Sequence, residues 1–264
     1  MLKATIENYS KYKSWKKFYK KGKSLRDCKY DESWKEFLEK RIFPRKEFIE
    51  LDEWLKAEAD VGKTILPKPE VVFNALFLTP INEIKVIILG QDPYFNVEVH
   101  NGKELPQAVG LSFSIPDGFK VPSSLRNIYK NQLKFGNHYF APKFGNLNNW
   151  AIQGCLMLNT ALTVEQKKPG SHLHKWKWMT DEIIKWLSYH HDGLIFMLWG
   201  SPAGKKMDLI DQDKHYVILS THPSGMSYNK KTKTNEAFCD VDHFTEVNNI
   251  LKKNGQIEIV WQVG

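Results

Sequence analysis

Cysteine is scarce in this chain. Cys28, Cys155 and Cys239 are the only three in 264 residues. They stand far apart and lack metal-ligand spacing, which argues against a disulfide framework and a zinc site and fits free thiols in a reducing compartment. No run of eighteen apolar residues occurs, so no transmembrane helix is expected. Met1 to Tyr30 has no apolar core followed by small residues, so no secretory signal is expected. No two histidines stand four apart, as a helical metal site would want, and His190-His191 reads as solvated. Gly200–Lys206 has the look of a phosphate loop, but it is one residue short and Lys206 stands where Ser or Thr is needed. A G-x-S-x-G elbow is missing too. No metal and no other cofactor is therefore expected.

Hydrophobic residues make up 42% of the chain and aromatics 13%, enough for one large, well-packed domain or at most two small ones. The net charge is +8, and its placement matters more than its size. Residues 1–30 carry ten Lys/Arg against two Asp/Glu, and the other 234 residues are balanced. The chain thus divides into a basic, aromatic N-terminal extension (1–30) and a folded body (31–264). A basic segment of this kind suits nucleic acid or an anionic surface. Within it, Tyr12, Trp15, Phe18 and Tyr19 recur at helical spacing among lysines. Two readings stay open: the aromatic face docks on the body, or the segment is an arm that binds DNA or a replication or repair protein.

Four short apolar runs read as buried strands: Lys85–Leu89, Gly154–Leu158, Gly193–Trp199 and Tyr216–Leu219. Helical patterns separate them, over Asp31–Ala59, Glu70–Leu78, Leu125–Lys134, His174–Tyr189, Ala203–Ile210 and Phe244–Lys253. Asn96–Pro106 and Gly145–Trp150 read as polar loops, Ala108–Ile115 as an extended piece and Glu258–Val260 as a last short strand or extended tail. The alternation predicts an α/β single domain: a central four-stranded parallel twisted sheet with helices on both faces. The four runs end in Gln91-Asp92, Asn159, Gly200-Ser201 and His222. Right-handed crossovers place all four ends on one edge, where open α/β sheets bind ligands. A carboxylate, an amide, a small-residue loop and an imidazole would meet there, with Tyr94 and Phe113 as walls. Such a slot suits a flat heterocycle, stacked on an aromatic ring and read at its edge by an amide that can tell uracil from cytosine.

The motifs go further. Gly90-Gln91-Asp92-Pro93-Tyr94, Gly110–Ser114, Gly145-Asn146-Leu147, Leu156–Val164, Lys168–His172, Leu198–Ser201 and His222-Pro223-Ser224 together resemble the family 1 uracil-DNA glycosylases, in the family's order, from about Asp31 to Trp261. The resemblance implies the family's fold for residues 31–264 and hydrolysis of the N-glycosidic bond of uracil in DNA, single- or double-stranded, for base excision repair. It implies that Asp92 orients or activates water and stabilises a cationic sugar, and that His222 hydrogen-bonds uracil O2 as charge builds there. Gln91, Tyr94, Phe113 and Asn159 would bind uracil: Asn159 reads its edge, Phe113 stacks, and Tyr94 excludes thymine's methyl group. Pro122, Ser123, Ser124, Gly200, Ser201, Ser224 and Ser227 would contact DNA phosphates, and Met226 stands where the family's intercalating Leu is usual. A monomer with no membrane association is expected, in an intracellular compartment where DNA is replicated or repaired: nucleus, cytoplasm or viral replication site.

Departures from the family pattern are visible as well. Phe95 replaces a His, Gly225 a Pro, the proline-rich loop shrinks to Pro122, and Asn96–Pro106 exceeds the family's short link. The basic extension and the insertion fit a divergent, viral member. They also keep open a second reading, a DNA-binding or replication-processivity subunit that retains the fold with weak or no glycosylase activity. Relatives acting on mismatched bases often carry Asn where Asp92 stands, which counts against that class.

Overall fold

The structure, a computed structural model, describes residues 10–100 and 102–263. Four strands form the central sheet: β2 (Val86–Gly90), β5 (Cys155–Asn159), β7 (Ile195–Trp199) and β8 (Tyr216–Ser220). Their order is β5-β2-β7-β8, and each neighbouring pair is parallel. Val-Ile-Ile-Leu in β2 and Cys-Leu-Met-Leu in β5 are apolar throughout because both sheet faces are covered. The chain leaves β2 toward β5 on one side and returns past it to β7 and β8 on the other. The crevice beyond the ends of β2 and β7 is therefore the topological switch point.

Two two-stranded sheets flank this layer. Strands β1 (Ile65–Leu66) and β6 (Val164–Glu165) pair antiparallel, as do β3 (Val97–His100) and β4 (Lys103–Pro106). The second pair corrects the expected loop at Asn96–Pro106. Val97, Val99 and Leu105 alternate with polar residues around Asn101-Gly102 in the sequence, a strong hairpin signal that overall polarity obscured. Leu105 is buried, and the His100 ring stacks on Phe119 at 4.3 Å.

The helices are α1 (Trp15–Tyr19), α2 (Lys35–Phe37), α3 (Lys46–Asp60), α4 (Asn74–Leu78), α5 (Ser123–Lys134), α6 (Asn148–Ala151), α7 (Leu173–His190), α8 (Ser201–Gly204) and α9 (His243–Lys253). In α7, Trp176, Met179, Thr180, Ile183, Ile184 and Leu187 are buried, the stripe that a 3.6-residue period lays against a sheet. Several expected boundaries shift. Asp31–Ala59 is helical in two pieces, a 3-10 turn, α2 and a π turn running together over 32–42, then α3 beyond Pro44. Ala203–Ile210 is the end of α8 followed by a 3-10 turn over Lys205–Leu209. The expected loop at Gly145–Trp150 contains α6, whose Trp150 is fully buried. Residues 108–115 are irregular, with Gly110 and Phe113 at positive φ, and 258–260 form an extended tail that pins Trp261 into the core. Among the described residues no helix is long and apolar enough to cross a membrane.

The aromatic face of α1 docks on the body. Trp15, Phe18 and Tyr19 are buried in the main core, and Trp15 Nε1 donates to Pro67 O at 2.8 Å. The Tyr19 hydroxyl and the Leu25 N–H both donate to Asp52 of α3. Lys16, Lys17, Lys20 and Lys21 face solvent. Truncation of a buried Trp typically costs about 3–5 kcal/mol. Trp15→Ala is expected to lower unfolding stability by about that much in urea titration, with Lys17→Gln near neutral. An unchanged midpoint for Trp15→Ala would mean that α1 contributes nothing to the fold.

Candidate active site

The four strand ends open into one cleft of about 970 Å³. Gln91, Asp92, Tyr94, Phe113, Ser124, Asn159, Gly200, Ser201, His222, Ser224, Met226 and Ser227 all line it, as expected from their positions after β2, β5, β7 and β8 and on the loops between. Pro122 and Ser123 do not. They stand at the start of α5, with Pro122 as its N-cap and Ser123 exposed.

Asp92 is held from one side only. Its Oδ2 accepts from the Gln91 side-chain amide at 2.8 Å and from the Gly170 N–H at 3.0 Å. Its Oδ1 is buried and has no protein partner among the described residues. Burial raises the Asp92 pKa above the ordinary carboxylate value, and the two hydrogen bonds oppose that shift. One oxygen is thus an anchor and the other a buried, unpaired acceptor, costly unless something in the cleft uses it.

The Gly170 turn is fastened from beneath. Trp176 Nε1, which can only donate, bonds the Thr163 hydroxyl at 2.6 Å. The Thr163 hydroxyl is also hydrogen-bonded to His172 Nδ1, at 2.8 Å. Burial pushes the His172 pKa down to about 4, so the ring stays neutral and can accept. Ser171 adds a further tie by accepting from the Glu165 N–H.

Across the cleft, His222 Nδ1 accepts from the Ser224 N–H at 3.0 Å. An accepting Nδ1 leaves the proton of the neutral ring on Nε2. Burial lowers the pKa of His222, which keeps the ring neutral. Asn127 of α5 donates from its buried amide to Pro223 O at 2.8 Å and fixes the loop that follows. Sequence reasoning missed Asn127, and its signal was there: Asn127, Asn131 and Gln132 are polar residues on the buried face of α5.

Between these groups lies the slot. Gly90 pairs with Asn159 across β2 and β5. A Cβ at Gly90 would come within 2.1 Å of Asn159 Oδ1, so glycine is what allows the Asn159 amide to cross the end of β2. No hydrogen bond within the described residues uses that amide, although Asn159 is buried. Phe113 has φ 61°, a left-handed conformation that bulky residues rarely adopt. Its ring lies 5.3 Å from Trp199 and 6.0 Å from His222, and its carbonyl accepts from the Tyr94 hydroxyl at 3.3 Å. Such strain at a ligand wall fits a held, functional side chain. Gly200, at φ 87°, lets the β7 end pass the His222 Cβ, which an added Cβ would meet at 3.0 Å. Met226, 79% exposed, caps a turn closed by Ser227 N–H to Ser224 O. Phe95 also lines the cleft, packed near Leu66, Ala108 and Val164. Lys230, Thr232 and Asn235 border it too, and sequence reasoning gave them no role.

The family model for the Uracil DNA glycosylase superfamily matches residues 77–251 of this chain. A uracil-DNA glycosylase of Psychromonas ingrahamii is 44% identical over 230 residues, covering 87% of this chain and all of the relative. A probable uracil-DNA glycosylase of Acanthamoeba polyphaga mimivirus is 36% identical, covering 96% of this chain and 70% of the relative. The crystal structure of mimivirus uracil-DNA glycosylase superposes with a TM-score of 0.92 at 35% identity, covering 98% of this chain and 96% of that one.

The hydrogen bond to His222 Nδ1 sets its protonation state in advance. Nitrogen-15 NMR of the imidazole is expected to give a pKa below the ordinary value of about 6.5 and, above it, a proton on Nε2. A ring that is still doubly protonated at neutral pH, or protonated on Nδ1, would contradict the assignment.

Proposed function

For a chain that belongs to the uracil DNA glycosylase superfamily, we propose the following division of labour in the cleft. The reaction is hydrolysis of the N-glycosidic bond of uracil in DNA, which releases the free base and leaves an abasic site. The target nucleotide leaves the helix first, at an unstacking cost of a few kcal/mol. Met226, at the tip of its turn, fits as the wedge that fills the vacated stack. Ser124, Ser201, Ser224 and Ser227 line the cleft with small hydroxyls that can approach phosphates closely. Outside the cleft, Ser123 would add a backbone N–H contact at the start of α5, where N–H groups lack partners within the helix, and Pro122, which has no N–H, would pack against the strand as the N-cap of that helix.

Inside the slot, uracil stacks on Phe113 and presents its edge to the Asn159 amide. Tyr94 closes the side where thymine would carry its methyl group. As the bond from C1′ to N1 breaks, the electron pair stays on the base. The Nε2–H of neutral His222 meets the oxygen where that charge gathers, and Gln91 lies beside the same oxygen. The sugar becomes oxocarbenium-like, and the Asp92 carboxylate stabilises it and takes the proton of the water that adds to C1′. Neutral His222 and ionised Asp92 are both deprotonated forms, so one pH range satisfies both.

The observation that carries this reading is the pair itself: a carboxylate with one buried unpaired oxygen and an imidazole with its proton fixed on Nε2, lining one cleft. Phe95 and the hairpin insertion leave both in place, which favours an enzyme over a binding subunit that has lost the chemistry.

Asp92→Asn and His222→Ala are each expected to slow single-turnover uracil excision by about 100-fold or more, in keeping with the loss of a general base or of one preorganised donor. Binding of uracil-containing DNA should remain within a few-fold of the parent. Losses in binding that match the losses in rate would remove both residues from the catalytic step.

A further inference from the structure

Among the described residues, none of β3 or β4 lines the cleft, yet the hairpin grows directly out of the cleft wall. Phe95 lines the cleft, and Val97, the first residue of β3, packs with it near Leu66, Ala108 and Val164. The Gln107 N–H donates to Asn96 O at 3.0 Å and closes the base of the hairpin, while Leu105 of β4 is buried in the main core. Register then decides which side chains share a face. Pairing of His100 with Lys103 and of Glu98 with Leu105 puts all of them on the same one. There the Gln107 amide donates to Glu98 Oε1 at 2.7 Å, and Glu98 Oε2 lies 3.4 Å from His100 Nε2. The His100 ring is stacked on Phe119 at 4.3 Å, with 29° between the planes.

Phe119 belongs to the segment that leads into α5 through Lys120-Val121-Pro122. It is buried, and among the described residues His100 is its only aromatic partner. The other ties of the segment are weaker or internal. The Asn146 amide reaches Asp117 at 3.4 Å, a long contact at the far end. Val121 O accepts from the Arg126 guanidinium at 2.8 Å, but Arg126 is part of α5, so that tie moves with the helix. Pro122 is the N-cap and makes no side-chain capping hydrogen bond, so the first turn lacks the bond that commonly steadies a helix start. What fixes the entry into α5 from outside is Phe119 and the ring against it.

We propose that the β3–β4 hairpin is a brace for the start of α5 and that His100 is its positioning residue: its ring, beside Glu98, presses on Phe119 and holds Ser123 and Ser124 where DNA phosphates meet them. The inference rests on the glycosylase reading, in which the start of α5 meets DNA. An anion contact at a helix start depends on direction, because the free N–H groups point along the helix axis. A brace that orders this turn before DNA arrives lowers the cost of ordering it on binding. His100 itself touches neither base nor water in this scheme, so its effect falls on binding and not on the chemical step.

The test is single-turnover excision from a single-stranded oligonucleotide with one uracil, with protein in excess, read as the half-saturating protein concentration and the maximal rate. His100→Ala is expected to raise the half-saturating concentration by about three- to tenfold, the range expected for the loss of one aromatic stack, with the maximal rate unchanged. His100→Phe, which keeps a ring on Phe119, is expected to restore the parent value. Ser124→Ala should weaken binding by the parent but add much less in the His100→Ala background, because residues that act as a unit are not additive. Lys103→Gln, at the exposed end of the hairpin, should match the parent. An unchanged half-saturating concentration for His100→Ala, a loss that His100→Phe does not restore, or full additivity with Ser124→Ala would overturn the proposal. An equal loss for Lys103→Gln would overturn it too, since the hairpin would then touch the strand itself. So would a fall in the maximal rate alone, which would route the effect through Phe95 to Asp92. Release by the parent with a parent-like His100→Ala sinks only the brace, whereas absence of release by the parent sinks the glycosylase reading on which it stands.

Discussion

The hydrogen bond from the Gly170 N–H to Asp92 Oδ2 is the contact on which the site depends. It joins the loop after β6 to the loop after β2 and turns a mobile carboxylate into a fixed one. With Gln91 on the same oxygen, it leaves Oδ1 unpaired in a buried setting. A carboxylate satisfied on both oxygens would be a structural cap. One satisfied on a single oxygen keeps an acceptor for the cleft, as the proposed role of base requires, and the Trp176–Thr163–His172 chain beneath the Gly170 turn supports the donor that holds it. A backbone donor suits this task because it has no rotamers to lose and cannot swing away.

Desolvation acts on both ionisable groups of the pair, and it acts differently. For His222 it favours the neutral ring, the state in which Nε2–H can donate while Nδ1 accepts from Ser224. For Asp92 it disfavours the charge that the proposed chemistry needs, and the donors from Gln91 and Gly170 work against it. The cleft is polar at Asp92, Asn159 and His222 and along its serines. Elsewhere Phe113, Trp199, Leu89 and Tyr94 keep it apolar, which strengthens every remaining electrostatic contact.

The sheet was the most legible part of the chain, because a buried parallel strand is an unbroken apolar run and its terminating residue is the one that reaches the ligand. Gln91-Asp92, Asn159, Gly200-Ser201 and His222 stand out for that reason. What stayed hidden depends on contacts far apart in sequence. Gly170 acts through its backbone, and no side-chain pattern reports a free N–H. Asn127 looks like an ordinary interruption of an amphipathic stripe until Pro223 is seen opposite it. Lys230 belongs to a charge run, and only the closure of its loop on Thr221 brings it to the cleft. The hairpin of β3 and β4 is written in the alternation around Asn101-Gly102, but the polarity of the segment masks it. The aromatic helix α1 lay between two readings, and burial of Trp15 and Phe18 favours docking while its lysines remain in solvent.

The measurement closest to the centre of this account is release of free base from an oligonucleotide with a single uracil, single- and double-stranded, with EDTA present. Matched oligonucleotides with thymine or cytosine at the same position serve as controls. The account predicts uracil release from both forms and none from thymine or cytosine, because Tyr94 blocks the first and the Asn159 edge the second. DNA binding without release of uracil would contradict it, and would mean that the Asp92–His222 pair is a preserved shape without its chemistry.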